Sequence, residues 1–216
     1  MQITIREPGS AITHYIGMML SLFAAAPLLL KAEMSRTPSA IMAMGIFILA
    51  MILLYAASTV YHALNVREGV LKVFRKLDHM MIFVLIAGTY TPVCMLVLDG
   101  ATGMILLTVI WGIALVGILL KALWINCPKW FSSIIYIAMG WVCLLVFPLL
   151  LQRLSAGAFA WLLAGGILYT VGGVVYALKL KGFNGVHKYF GSHEIFHLFV
   201  MAGSFCHFIV MYCYII

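Results

Sequence analysis

Seven apolar stretches run along this chain, each close to the roughly 20 helical residues needed to cross a hydrocarbon core. They cover Ile12–Leu30, Ser39–Ala63, His79–Leu98, Thr102–Leu123, Phe131–Leu151, Ala158–Leu178 and His193–Ile216. In lipid every backbone N–H and C=O must be bonded within the segment, so runs of this length fold as helices. Composition removes the water-soluble alternative. With 65% hydrophobic and 9% charged residues, and a mean hydropathy of +1.15, there is too little polar surface to cover a globule of this size. The expectation is an all-α integral membrane protein, a single domain over residues 1–216 built as a seven-transmembrane-helix bundle.

The first stretch imitates a secretory leader, because Ala24-Ala25-Ala26 reads as a small-residue cleavage site. Cleavage is not expected. Pro27 would follow the cut, the apolar run continues through Leu28-Leu29-Leu30, and the leader's only basic residue, Arg6, is followed by Glu7.

Orientation follows from Lys and Arg in the short loops. With the N-terminus in the cytoplasm, the inner segments carry Arg6, Arg67, Lys72, Arg75, Lys76, Lys121, Lys129, Lys179, Lys181 and Lys188; the outer ones carry Lys31, Arg36 and Arg153. Ten against three predicts N-terminus in and C-terminus out. The net charge of +7 then reflects loops that fix topology against anionic lipid headgroups, and nothing calls for nucleic acid. Between the second and third stretches, Val66, Val70, Phe74 and Leu77 recur at helical spacing among basic residues, a pattern that predicts a short amphipathic helix on the cytoplasmic surface. The five cysteines, Cys94, Cys127, Cys143, Cys206 and Cys213, give no disulfide framework and no ligand spacing.

This topology gathers the histidines. His62 ends the second stretch, Asp78 and His79 begin the third, and His193 and His197 begin the seventh, so three distant segments deliver imidazole and carboxylate to one membrane depth. His193 and His197 lie about 40° apart around a helix, one turn from each other, which suits two ligands of one ion. Ser58 and His62 repeat the spacing, and Ser204 and His207 return to the His193 face, so this polar stripe should face the bundle interior. Plainer roles exist for each residue alone. Asp78 can cap a helix, and His14, His79, His187 or His207 taken singly read as hydrogen-bonded interface residues. His62, His193 and His197 together read as a zinc site.

His193-Glu194-Ile195-Phe196-His197 also spells H-E-x-x-H, the string of zinc metalloproteases, in which the Glu activates water. Intramembrane proteases resembling site-2 protease take a third ligand from an L-D-G motif, and Leu98-Asp99-Gly100 is present. It precedes the H-E-x-x-H, however, and is expected at the far end of the third span, about 30 Å of hydrocarbon away. A protease is therefore not expected.

Ser58-x-x-x-His62, Asp78-His79, His193-x-x-x-His197 and Gly203-Ser204-Phe205-Cys206-His207-Phe208, with Ala87-Gly88-Thr89-Tyr90-Thr91-Pro92 and Ala138-Met139-Gly140-Trp141, resemble the hemolysin III family of bacterial membrane proteins. That family belongs to the progestin and adipoQ receptor superfamily, with the adiponectin receptors, and is more distantly related to alkaline ceramidases. Glu7 and His14 match part of the family's first-helix element, with Ser10 where Asn is expected. The resemblance implies a seven-helix fold in the bacterial cytoplasmic (inner) membrane and zinc at its cytoplasmic end, held by His62, His193 and His197. It implies a water on that zinc positioned by Asp78 and Ser58, and it gives Glu194 no task beyond that of an acidic residue favouring a helix N-terminus.

Two roles follow for such an ion. Three His and a water form a catalytic arrangement that would hydrolyse a lipid amide or ester, ceramidase-like, or sense the lipid, with membrane lipid as substrate or ligand and lipid homeostasis as the outcome. The same ion can instead be structural, tying the second helix to the seventh. The family name adds cytolysis through a pore, which seven apolar spans without an export signal support less.

Overall fold

A computed structural model describes residues 4–98, 100–178 and 190–216. Seven of its helices are long and apolar enough to cross a membrane: Pro8–Met34, Pro38–Ala63, Glu68–Leu98, Gly100–Leu123, Lys129–Arg153, Ala156–Leu178 and Ser192–Ile215. They form the all-α bundle expected. Neighbouring spans pack in sequence, and the seventh closes back on the first. The exterior is apolar, with Phe23, Leu30, Ile105, Val116 and Leu145 exposed, whereas Ser10, His14, Ser58, His62, His197, Ser204 and His207 are buried. That inversion of the soluble pattern is what a lipid solvent requires. All five cysteines are free.

The helices run past the apolar stretches at most ends. The first begins at Pro8, where a missing N–H and a fixed φ suit the first helical position. One expectation is corrected: the amphipathic segment through Val66–Leu77 is not a separate surface helix. Glu68–Pro92 is continuous, so Asp78 and His79 lie about three turns inside the third span instead of at its start. Leu71, Lys72, Arg75 and Lys76 are good helix formers, and no breaker separates them from Asp78.

Two spans are internally irregular. After Pro92 the third helix widens into a π-helical turn over Val93–Leu98, next to the residue that lacks an N–H for the regular ladder. The fifth tightens to a 3₁₀ segment over Trp141–Val146 between its two α-helical parts. Tyr90 bridges that irregularity: its hydroxyl donates to the Gly140 carbonyl at 2.6 Å and accepts the Cys143 N–H at 2.9 Å. The freed backbone groups are thereby paired inside the bundle, as they must be at membrane depth.

The glycines of the sixth span have a neighbour in the same chain. A Cβ added at Gly165 would fall 2.7 Å from His207 Nε2, and one at Gly172 would fall 2.8 Å from Phe199 Cβ. Their absence lets the sixth and seventh helices approach closely.

Candidate metal site

The start of the first span, the end of the second and the start of the seventh meet at one end of the bundle. The Glu7 N–H donates to the His62 carbonyl at 3.0 Å, and the Arg6 guanidinium reaches the Tyr61 carbonyl at 2.9 Å while lying over the Tyr61 ring. These contacts set the N-terminal segment across the last turn of the second helix. There His62, His193 and His197 offer ligand atoms that all lie within 4.8 Å of one another, as the sequence anticipated.

The spacing fits one ion. Two nitrogens about 2.0–2.1 Å from a tetrahedral metal are about 3.3 Å apart, and His62 Nε2 lies 3.2 Å from His193 Nε2. Hydrogen bonds set the tautomers to match. His62 Nδ1 donates to Glu7 Oε2, leaving its Nε2 with a lone pair. Thr13 Oγ1 directs its only proton to the backbone carbonyls of Gly9 and Ser10, so at 3.0 Å it accepts from His197 Nδ1, which likewise frees His197 Nε2. Fixing the far nitrogen in this way aims the near one and raises its basicity. His62 and His197 are buried, so an ion here is shielded from water. The donor set is capable of binding a metal ion. The hydrogen bond from His62 also holds the Glu7 carboxyl below its ordinary range, outweighing the opposing effect of burial.

Glu194 has more to do than the sequence indicated. Its Oε2 accepts the Gly191 N–H at 2.8 Å, capping the seventh helix, and its Oε1 accepts from Ser10 Oγ of the first. Both oxygens are engaged in fixing the helix, so Glu194 is not placed as the water-activating base of a protease. Asp99, the candidate third protease ligand, lies outside the described residues, as do His187, Lys179, Lys181 and Lys188.

Asp78 is buried, and its Oδ2 lies 3.1 Å from His79 Nδ1. Ser58 Oγ is buried nearby and, among the described residues, makes no full hydrogen bond. Asp78 shares a cavity of about 180 Å³ with His14, His193 and His197. From there the cavity continues between the helices past Leu85, Tyr90 and Val200 to Leu98, Leu150 and Phe159. Its walls are almost wholly apolar away from the histidines.

Glu7, Ser10, Thr13 and His14 surround the cluster and are residues that sequence spacing alone did not assign to it. His14 stacks on His197, with ring centroids 3.5 Å apart and planes 8° from parallel, and neither of its nitrogens has a hydrogen-bond partner among the described residues. A signal was present: Glu7, Ser10 and His14 follow i, i+3, i+7 spacing, one face of a helix. Because Glu7 holds His62 by the nitrogen away from the cluster, Glu7→Ala is expected to weaken metal affinity roughly 10–100-fold with the fold retained. Competition against a chromogenic chelator measures this, and unchanged affinity would remove Glu7 from the site.

The model of the family described as "Haemolysin-III related" matches residues 2–208. The chain is 38% identical over 215 residues to "Hemolysin-3" of Bacillus cereus, covering 100% of this chain and 94% of that protein. It is 36% identical over 215 residues to "Hemolysin-3 homolog" of Bacillus subtilis (strain 168), covering 97% and 96%. Similarity at 26% identity over 224 residues extends to "Progestin and adipoQ receptor-like protein 1" of Caenorhabditis elegans, covering 94% of this chain and 50% of that one. No solved structure matches the chain. Seven apolar spans, a three-histidine cluster and a family match over nearly the whole length agree: this multi-pass membrane protein belongs to the haemolysin III-related family, itself related to the progestin and adipoQ receptors.

Proposed function

We propose that this protein holds zinc through His62, His193 and His197 and acts on membrane lipid, slowly hydrolysing an amide or ester whose chain lies in the interior cavity, and so adjusts the lipid state of the membrane. One observation carries the reading: the cluster of His62, His193 and His197 adjoins a long apolar cavity inside the bundle, which His193, His197 and Asp78 line together. Zinc, when bound, would supply a water acidified toward neutral pH and a positive centre that polarises a carbonyl. The chain's own groups then have distinct tasks. Asp78 accepts a proton from the water and returns it to the leaving nitrogen or oxygen. Ser58 Oγ, without a full partner, orients that water, and His14 offers a ring nitrogen to the substrate's polar head. Apolar walls hold the chain and keep bulk water away from the bond.

Charge supports placing this end of the bundle in the cytoplasm, since Arg67, Lys72, Arg75, Lys76, Lys121 and Lys129 belong to the same side. Related bacterial proteins support the cytoplasmic membrane as its location. Hemolysis, the activity named in the relatives, is the lesser reading for this chain: an exterior of exposed apolar residues supports permanent residence in lipid over a secreted pore.

A structural ion is the second reading. It is favoured by the way Glu7, Ser10 and Thr13 bind His62, Glu194 and His197, which makes the site a junction of the first, second and seventh helices. Release of fatty acid from a long-chain N-acyl amide and its matching ester, with the purified protein in detergent, separates the two. Release that stops on chelation and returns with zinc is expected. A fully zinc-loaded protein that releases none from either probe contradicts the hydrolytic role and leaves the structural one.

A further inference from the structure

Between Ser204 and His207, about 10–15 Å along the seventh helix from His197, the apolar cavity meets a second polar cluster that the metal chemistry does not use. Tyr55 donates its hydroxyl proton to Ser204 Oγ at 2.7 Å, and Tyr169 shares a hydrogen bond with the same oxygen at 2.9 Å. The Tyr169 ring stacks on His207, with centroids 5.3 Å apart and planes 18° from parallel. Tyr169 and His207 both line the cavity. Two glycines seat the rings: a Cβ at Gly165 would strike His207 Nε2, and one at Gly203 would fall 2.7 Å from the Tyr169 ring.

Proton counting exposes an unmet demand. Three hydroxyls bring three protons, and their two mutual hydrogen bonds use two. The direction of the Tyr55 bond leaves the spare proton on Ser204 or Tyr169. His207 Nδ1 is buried and has no partner among the described residues. Leaving such a group unpaired in a low-dielectric interior is unfavourable. An oxygen that both donates and accepts would satisfy the spare hydroxyl and the imidazole together.

We propose that Tyr169, Ser204 and His207 form a recognition subsite for an oxygen function, a hydroxyl above all, in the middle of the bound hydrocarbon chain, so that the preferred ligand is a mid-chain hydroxylated acyl lipid. The proposal rests on the reading that the cavity holds a lipid chain. The separation of about 10–15 Å from His197 corresponds to roughly eight to twelve extended carbons between the head carbonyl and the hydroxyl.

Isothermal titration of the full-length, zinc-loaded protein in detergent tests this with three acids: octadecanoic, 12-hydroxyoctadecanoic and 2-hydroxyoctadecanoic. The wild type is expected to bind the 12-hydroxy acid about tenfold more tightly than octadecanoic acid, the effect of one buried hydrogen bond, and to show no such gain for the 2-hydroxy acid. His207→Leu and Ser204→Ala should bring that preference to within about twofold, with zinc content unchanged. Equal binding of octadecanoic and 12-hydroxyoctadecanoic acids by the wild type, or a preference that survives in His207→Leu, overturns the subsite and leaves the chain-binding reading standing. If no acid binds, both fall. The wild-type comparison needs no variant, so it is independent of any folding defect in the substitutions.

Discussion

Asp78→Asn is expected to lower lipid turnover about 10²–10⁴-fold, the span associated with a positioned general base, while metal content stays at the wild-type level. The substitution preserves shape and leaves an oxygen beside His79 Nδ1, now 3.1 Å from Asp78 Oδ2, while that nitrogen keeps its hydrogen bond to the Arg75 carbonyl. What it removes is the ability to take up a proton. Asp78 is not among the three residues whose ligand atoms cluster, so the ion should remain. Turnover measured beside elemental analysis reads the two properties separately. Normal turnover in Asp78→Asn would deny it the role of base, and loss of metal would mean that the carboxylate maintains the site. Asp78→Glu, which restores the charge one methylene farther out, should recover part of the rate.

The spans were legible because a hydrocarbon solvent leaves little choice: an apolar run of some 20 residues is helical wherever it lies in the bilayer. The three clustered histidines were legible for the same reason, since topology alone predicts His62, His193 and His197 at one depth. Helix continuity was harder to read. The basic, amphipathic segment before Asp78 has the period of a surface helix, and hydropathy cannot distinguish such a helix from the extension of a span. The 3₁₀ irregularity after Gly140 was not read because its pairing depends on Tyr90, which comes from another span.

The supporting residues around the ligands divide along similar lines. Glu194 sits in a motif that carries a well-known catalytic meaning, and its sequence neighbours say nothing of Ser10, 184 positions away. Glu7 precedes the first long apolar stretch, where a carboxylate is ordinarily just a solvated end. Only the packing of the first helix against the second and seventh turns Glu7, Thr13 and His14 inward. The hydrogen bonds that orient the imidazoles are thus set by tertiary contacts, whereas the histidine cluster itself follows from spacing and depth.

The second large effect concerns the ion. His62 is the only member of the cluster on the second helix; His193 and His197 both come from the seventh. Without His62, two imidazoles remain on one helix face, a set that lacks the third protein ligand of a stable zinc centre. The protease reading of H-E-x-x-H assigns His62 nothing, and so predicts no loss. Because zinc affinity is coupled to folded geometry, the variant must first be shown to be monodisperse and helical.

Zinc per chain in detergent-purified protein, wild type beside His62→Ala, therefore bears most directly on the central claim. About one zinc in the wild type and nearly none in His62→Ala is the predicted result. A His62→Ala protein that keeps its zinc, or a wild type that takes up none when zinc is supplied, would contradict the three-histidine site.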